Sequence, residues 1–356
     1  RATPDQVPPP DPLMSTPKLV GSKGRASVQQ RTVRMCSDPK EVYTVSMGFL
    51  GILILLTLSS CRTLFPPPVE EKTISTVQSW AYQLKNIDLS AIERSPYDLL
   101  VIDYSRDGSE GGKWSSNDIR RIKEAGGGKI LLAYLSIAEA ETHRSYWDSS
   151  WTPGNPSWLG KEADAVDGRP PRFHVKYWDS EWADILKNLV GSMISQGFNG
   201  VLLDGCDAYT YWSDILNGES EVLNREEAAN WMVELVSEIS YYARDKSPSF
   251  IVCIQEGTGL FSIASKEKSD SALRAIQGVV AEEIFFPGDE PMDNPYGPKK
   301  DLIPYFQDLR SRGKVLFSLE YLSQTNLDLE QYFQEAQSYG FLPYAANPAL
   351  DTLRPR

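Results

Sequence analysis

Six apolar runs in this chain end in, or lead directly to, a carboxylate. They are Leu99 to Asp103, Ile130 to Tyr134 leading on to Glu139, and Val201 to Asp204. Then come Ile251 to Gln255 before Glu256, Val279 to Ala281 before Glu282 and Glu283, and Val315 to Leu319 before Glu320. Carboxylates gathered at strand ends can exchange protons with a substrate, and they suit one that is neutral or cationic. Asp204 is followed by Gly205 and a polar turn, so it is expected to stay solvated and ionised. Glu282 and Glu283 lie in an apolar stretch that runs on into Phe285 and Phe286, which should desolvate a carboxyl and raise its pKa toward that of a proton donor. Neighbours on a strand point to opposite faces, so one of these two acids is expected at the site and Glu283 is expected to face away. A salt bridge explains any one strand-end acid; it explains six together poorly, because six matching cations are not visible.

The runs that carry these acids alternate with helical patterns. Eight strands are predicted to begin near Trp80, Leu99, Ile130, Val201, Phe250, Gly278, Val315 and Leu342. Helices are predicted between several of them: 117–125 ending at Gly126, 182–195 stopping before Gly197, 225–243 ending before Pro248, 302–309 and 329–339. Eight strand–helix units in about 275 residues fit a (β/α)8 TIM barrel, in which every strand end meets on one face. A doubly wound open sheet is the alternative. Gly126-Gly127-Gly128 follows a helix instead of opening one, so no phosphate loop is read and no nucleotide is expected.

The 356 residues are 41% hydrophobic and 11% aromatic, and the net charge is −12. Residues 1–61 carry +3 and residues 62–356 carry −15. That balance disfavours nucleic acid as a partner. Cys36, Cys61, Cys206 and Cys253 lack metal-ligand spacing, and His143 and His174 lie far apart, so neither a metal nor another cofactor is expected. Cys206 and Cys253 are expected to be buried thiols. The connection before Val201 holds Trp147, Trp151, Trp158, Trp178 and Trp182. These rings would either wall a sugar site or form the connection's own core.

Paired acids on a neutral or cationic substrate are what glycosidic bond cleavage needs: one protonates the leaving oxygen, and the other acts as nucleophile or activates water. The runs 133–141, 175–182, 197–204 and 282–286 resemble the bacterial and archaeal branch of glycoside hydrolase family 114, TIM-barrel proteins related to endo-α-1,4-polygalactosaminidases. The resemblance spans about Trp80 to Leu350. It implies Asp204 and Glu282 as the catalytic pair, with supporting roles for Asp103, Tyr134, Ser136, Glu139, Asp207 and Tyr321. Glu320, as a further strand-end acid, is read as substrate-binding. Two positions depart from the family pattern. Ala138 stands where Gly is expected, and Glu256 stands where Asn is expected, placing a third acid beside the pair. The implied substrate is an α-linked, galactosamine-type polysaccharide. A non-catalytic carbohydrate-binding protein on the same barrel is the second reading, and an unrelated acid/base reaction the third.

Residues 1–60 read as a disordered leader and signal peptide, 61–72 as a tether, and 73–356 as the barrel. Met47 to Leu58 is too short to span a bilayer comfortably and resembles a signal-peptide core. Leu58-Ser59-Ser60-Cys61 resembles a lipobox, so lipidation at Cys61 and export as a cell-envelope lipoprotein, anchored to a membrane through the lipid, are expected.

Overall fold

The computed structural model describes residues 72–165, 170–217 and 223–354. The leader, Cys61 and nearly all of the tether lie outside them. The elements run β1 (Trp80–Gln83), α1 (Leu89–Arg94), β2 (Leu99–Asp103), α2 (Ser116–Glu124) and β3 (Ile130–Ser136). A connection follows with β4 (Glu139–Glu141), β5 (Leu159–Glu162) and β6 (Arg172–Val175). Then come α3 (Ser180–Gln196), β7 (Gly200–Asp204), α4 (Arg225–Lys246), β8 (Ile251–Gln255), α5 (Leu260–Ile263) and α6 (Lys266–Ala275). The chain continues through β9 (Gly278–Glu282), α7 (Ile303–Ser311), β10 (Val315–Tyr321), α8 (Leu329–Ser338) and β11 (Phe341–Ala346).

All eight expected strands form one sheet in the order β1-β2-β3-β7-β8-β9-β10-β11. Every neighbouring pair is parallel. The continuous apolar runs arise because a parallel strand between barrel interior and helix layer is covered on both faces; β2 and β3 are buried along their whole length. At the seam the Trp80 indole donates to the Leu342 carbonyl at 2.8 Å, and its ring lies 5.8 Å from that of Tyr344. The sheet is thus rolled into a TIM barrel.

The helices obey local rules. Ser115 and Asp118 form a capping box on α2. Asp179 caps α3 at its start, and Gly197, at φ 95°, ends it in the left-handed conformation. The β3–α3 connection departs from the sequence reading by folding its own antiparallel sheet, β4-β6-β5. These strands of three and four residues are too short for a periodic signal. The five tryptophans pack inside and beneath it. Trp147, Trp151, Trp158 and Trp182 form a chain of ring contacts at 5.0–5.3 Å, and Trp178 packs on Trp212 and Trp231. None of the five lines the cavity described below: Trp158 and Trp182 are core, and Trp147, Trp151 and Trp178 are half-buried against it, so they do not wall that cavity. Cys206 and Cys253 are separate buried thiols.

Candidate active site

Asp204 is the last residue of β7 and Glu282 the last of β9. Both open into one cavity of about 390 Å³ at the C-terminal ends of the barrel strands. Register explains the gathering. Ser136 on β3 is the pairing partner of Asp204, and Gln255, which ends β8 between β7 and β9, pairs with Val280 on β9. Tyr82, Tyr134, Ser136, Glu139, Asp207, Gln255, Glu256 and Tyr321 line the same space.

The two carboxyls are held differently. Asp204 accepts the Tyr134 hydroxyl at 2.6 Å on one oxygen and the Gly205 amide at 2.9 Å on the other. Gly205 has φ 85°, and a Cβ there would meet the Ala138 Cβ at 2.7 Å. The turn after Asp204 therefore needs glycine on both counts. Glu282 accepts the Gln255 amide at 2.7 Å on one oxygen and the Tyr321 hydroxyl on the other. Burial, and then the charge of Asp204, push the Glu282 carboxyl up to about 7. A group poised there can give a proton near neutrality and take one back. Asp204 differs in accepting a backbone amide, that of Gly205, beside the Tyr134 hydroxyl.

The third acid is built into the same network. Glu256 sits at φ 62°, a left-handed backbone conformation that Asn, the residue the resemblance led to expect here, adopts more readily. Its carboxyl is hydrogen-bonded to Asp207. Burial, followed by the charges of Asp207 and Asp204, raises its pKa far above the ordinary range. Two carboxylates can share a hydrogen bond only if one keeps its proton, and Glu256 is the one that keeps it.

Five placements add to or correct the sequence reading. Glu283 lines the cavity and does not face away. The strand stops at Glu282 and Glu283 takes φ 50°, so strand alternation no longer governs it. Glu320 does not reach the cavity. It is fully buried and accepts the backbone N–H groups of Ile284, Phe285 and Phe286 at 2.9–3.1 Å. It thereby fixes the chain directly after Glu282, and Tyr321 beside it holds the Glu282 side chain. Asp103 is buried and takes contacts of 2.8 and 2.9 Å from Arg144, which also binds Glu141 at 2.6 Å, and it accepts the Ser105 amide at 3.0 Å. Asp103 borders a second cavity and secures Arg144 there. Glu139 stays at the mouth but is paired with Arg172 at 2.8 Å. Finally, Phe285 and Phe286 pack on Tyr332 and Tyr296, behind the strand. Burial in the mouth, not these rings, desolvates Glu282.

Sequence reasoning missed Tyr82, Gln255, Arg144 and Arg172. Gln255 carried a signal, since it ends an inward-facing strand. The arginines did not, because their acid partners are set by the fold of the β4–β6 insertion.

One prediction follows from the Glu282 contacts. A donor to a carboxylate favours the charged form, so removing it raises the pKa. The proton donor is lost as pH rises through that pKa. Tyr321→Phe is therefore expected to move the alkaline limb of the pH–rate profile to higher pH, with the fold unchanged by circular dichroism. A limb that moves to lower pH, or does not move, would remove Tyr321 from the account.

A TIM barrel with two carboxyls at its strand ends over one cavity has the arrangement that glycosidic bond cleavage needs. The chain belongs to glycoside-hydrolase family GH114, whose model matches residues 64–356. It is 31% identical over 309 residues to an uncharacterized protein of Thermotoga maritima, covering 85% of this chain and 90% of that one. It is 36% identical over 274 residues to one of Methanocaldococcus jannaschii, covering 75% of each. Among solved structures, the glycoside hydrolase domain of PelA from Pseudomonas aeruginosa matches with TM-score 0.55 and 17% identity, covering 78% of this chain and 97% of that one. Aspergillus fumigatus Ega3 in complex with galactosamine matches with TM-score 0.53 and 16% identity, covering 78% and 95%. At these identities the two structures attest the fold.

Proposed function

We propose that this hydrolase cleaves an α-linked, galactosamine-type polysaccharide. The observation that carries the reading is charge. The cavity around the catalytic pair is lined by Glu139, Asp204, Asp207, Glu256, Glu282 and Glu283, with no Lys or Arg among its described lining residues; Glu139 is paired with Arg172 and Glu256 keeps a proton, and the remaining acids still make the cavity acidic. A free amine on each sugar would be drawn in, and an anionic polymer repelled. The bound galactosamine of Ega3, on the same fold, supports this choice. In the reaction Glu282 gives its proton to the leaving glycosidic oxygen as the bond to the anomeric carbon breaks. Asp204 faces the positive charge that develops on that carbon, steadied by Tyr134. Water then adds its hydroxyl to the carbon, and its proton restores the acid.

The test is incubation of the barrel domain with purified α- and β-linked polymers of galactosamine and glucosamine, and with a neutral and an anionic polymer, scored by release of oligosaccharides. Cleavage of the α-linked galactosamine polymer above the rest is expected. Preference for the neutral or anionic polymer would overturn the reading.

The Leu58-to-Cys61 run supports a lipid anchor on the exported enzyme, which would hold it where extracellular polymer is met. Cys61→Ala is expected to abolish labelling by a fatty-acid probe in cells and to release the protein from membranes. Unchanged labelling would remove the anchor from the proposal.

A further inference from the structure

The outer wall of the barrel carries a groove that the reaction does not use. On α4, Trp231, Glu234, Glu238 and Tyr241 follow at i, i+3, i+7 and i+10, one face of the helix over about 15 Å. That face is turned outward, because the apolar residues between them, Met232, Val233, Leu235, Val236 and Ile239, are buried. An outward stripe is normally polar. Here it has a tryptophan at one end. At the other end stands Tyr241, 55% exposed and the most exposed aromatic ring among the described residues. Trp231 is half-buried, with its ring tilted against Trp178 at 4.9 Å. Trp178, which does not wall the catalytic cavity, lines this groove instead.

Two adjoining hollows follow the stripe, of about 400 and 750 Å³, and both are lined by Glu234 and Glu238. The smaller also has Trp178 and Trp231, with no Lys or Arg among its described lining residues. The larger adds Tyr241, Tyr242, Glu267, Lys187 and Lys268, so three glutamates there stand against two lysines. Lys187 pairs with Glu238 and Asp184, and Lys268 with Glu234, at 2.6–2.7 Å, with both glutamates half exposed. Surface pairs of this kind hold weakly, so a ligand's ammonium can take a lysine's place, like for like. The parallel strands all run toward the mouth and the helices between them run away from it, so the Trp231 end of α4 is the mouth end. There Trp178 packs on Trp212 at 5.0 Å, and Trp212 packs at 5.3 Å on Tyr211, which lines the catalytic cavity. The groove thus begins beside the mouth and descends along the outside.

We propose that this groove is a second binding site for polymer, one that holds a cationic hexosamine chain outside the catalytic cavity. The aromatic rings at its two ends offer flat apolar surface to the C–H faces of sugar rings, and their faces also attract ammonium groups. The glutamates between them meet the free amines. A site that keeps a chain beside the mouth raises its local concentration there, which helps a long polymer and does nothing for a fragment too short to reach both sites. The proposal rests on the amino-sugar reading above and adds to it a second place on the barrel where that polymer is held.

The experiment uses the full chain, long α-1,4-polygalactosamine and the shortest galactosamine oligosaccharide that the enzyme cuts. Two variants, Tyr241→Ala and the double change Glu234→Gln with Glu238→Gln, alter exposed side chains only. Their fold and their kcat and KM on the oligosaccharide are expected to stay at wild type. KM for the polymer is expected to rise about two- to tenfold in each, the scale of losing one or two solvent-exposed contacts. Retardation of each protein in a gel containing the polymer should weaken in parallel. Tyr241→Phe, which keeps the ring, is expected to match wild type. An unchanged polymer KM, an equal rise on both substrates, or a loss as large in Tyr241→Phe as in Tyr241→Ala would overturn the groove while leaving the amino-sugar reading in place. So would conversion of a dimer to a monomer by Tyr241→Ala in sedimentation, since a second copy would then cover this face. Failure of the wild-type protein to cut either substrate would overturn both.

Discussion

Asp204→Asn and Glu282→Gln should each abolish nearly all turnover while leaving the barrel folded. Both side chains are replaced by isosteres, so packing at the strand ends is kept. For Glu282 the lost function is proton donation, which contributes about 10²–10⁴-fold in rate. For Asp204 the lost function is the negative charge facing the anomeric carbon, and a loss at least as large is expected. The two effects will not add, because both residues act in one step. Thermal melting, and binding of a non-cleaved oligosaccharide, should stay near wild type. Glu283→Gln is the informative companion. Since Glu283 lines the cavity beside Glu282 but lacks the Gln255 and Tyr321 contacts, its loss should weaken substrate binding more than the chemical step. If Glu283→Gln were as damaging to kcat as Glu282→Gln, the proton donor would be misassigned.

Arg144→Ala should produce the largest loss of stability of any single surface-to-core charge removal here. Arg144 is 6% exposed and binds Asp103 at two oxygens and Glu141 at one. Removing it leaves the buried Asp103 carboxylate without its cation, and breaking a buried pair from one side typically costs about 3–5 kcal/mol. The stacking of its guanidinium over Tyr104, at 5.1 Å, is lost as well. The double change Asp103→Asn with Arg144→Met should recover much of the stability, because no isolated charge remains. Urea unfolding measures both. A single variant within about 0.5 kcal/mol of wild type would show that the pair holds nothing in place.

The sequence made the barrel legible because each parallel strand is an unbroken apolar run, and because Gly197 and Pro248 mark helix ends. It made Asp204 legible for the same reason: a strand, one acid, then glycine. It led the expected facing of Glu283 astray at a single point, where the strand ends and φ turns positive, and no periodicity reports that. The role of Glu320 was hidden more deeply. A strand-end acid looks the same in sequence whether it meets solvent or three backbone amides, and here the amides belong to residues 284–286, more than thirty positions earlier. The resemblance implied supporting roles for Asp103 and Glu139, but not their ion pairs, because their arginines lie in the β4–β6 insertion, whose short strands left no pattern. The aromatic connection was legible as aromatic, but not as packed in and against the core.

The most direct test of the two-carboxylate account compares one variant on two substrates. Glu282→Gln is assayed on polygalactosamine and on an oligogalactosaminide capped with 2,4-dinitrophenol, a leaving group that needs no proton. The account predicts a polymer rate reduced by about 10² or more with the dinitrophenyl rate close to wild type, since only the first reaction uses the acid. Equal loss on both substrates, or no loss on either, would contradict Glu282 as the proton donor and with it the mechanism.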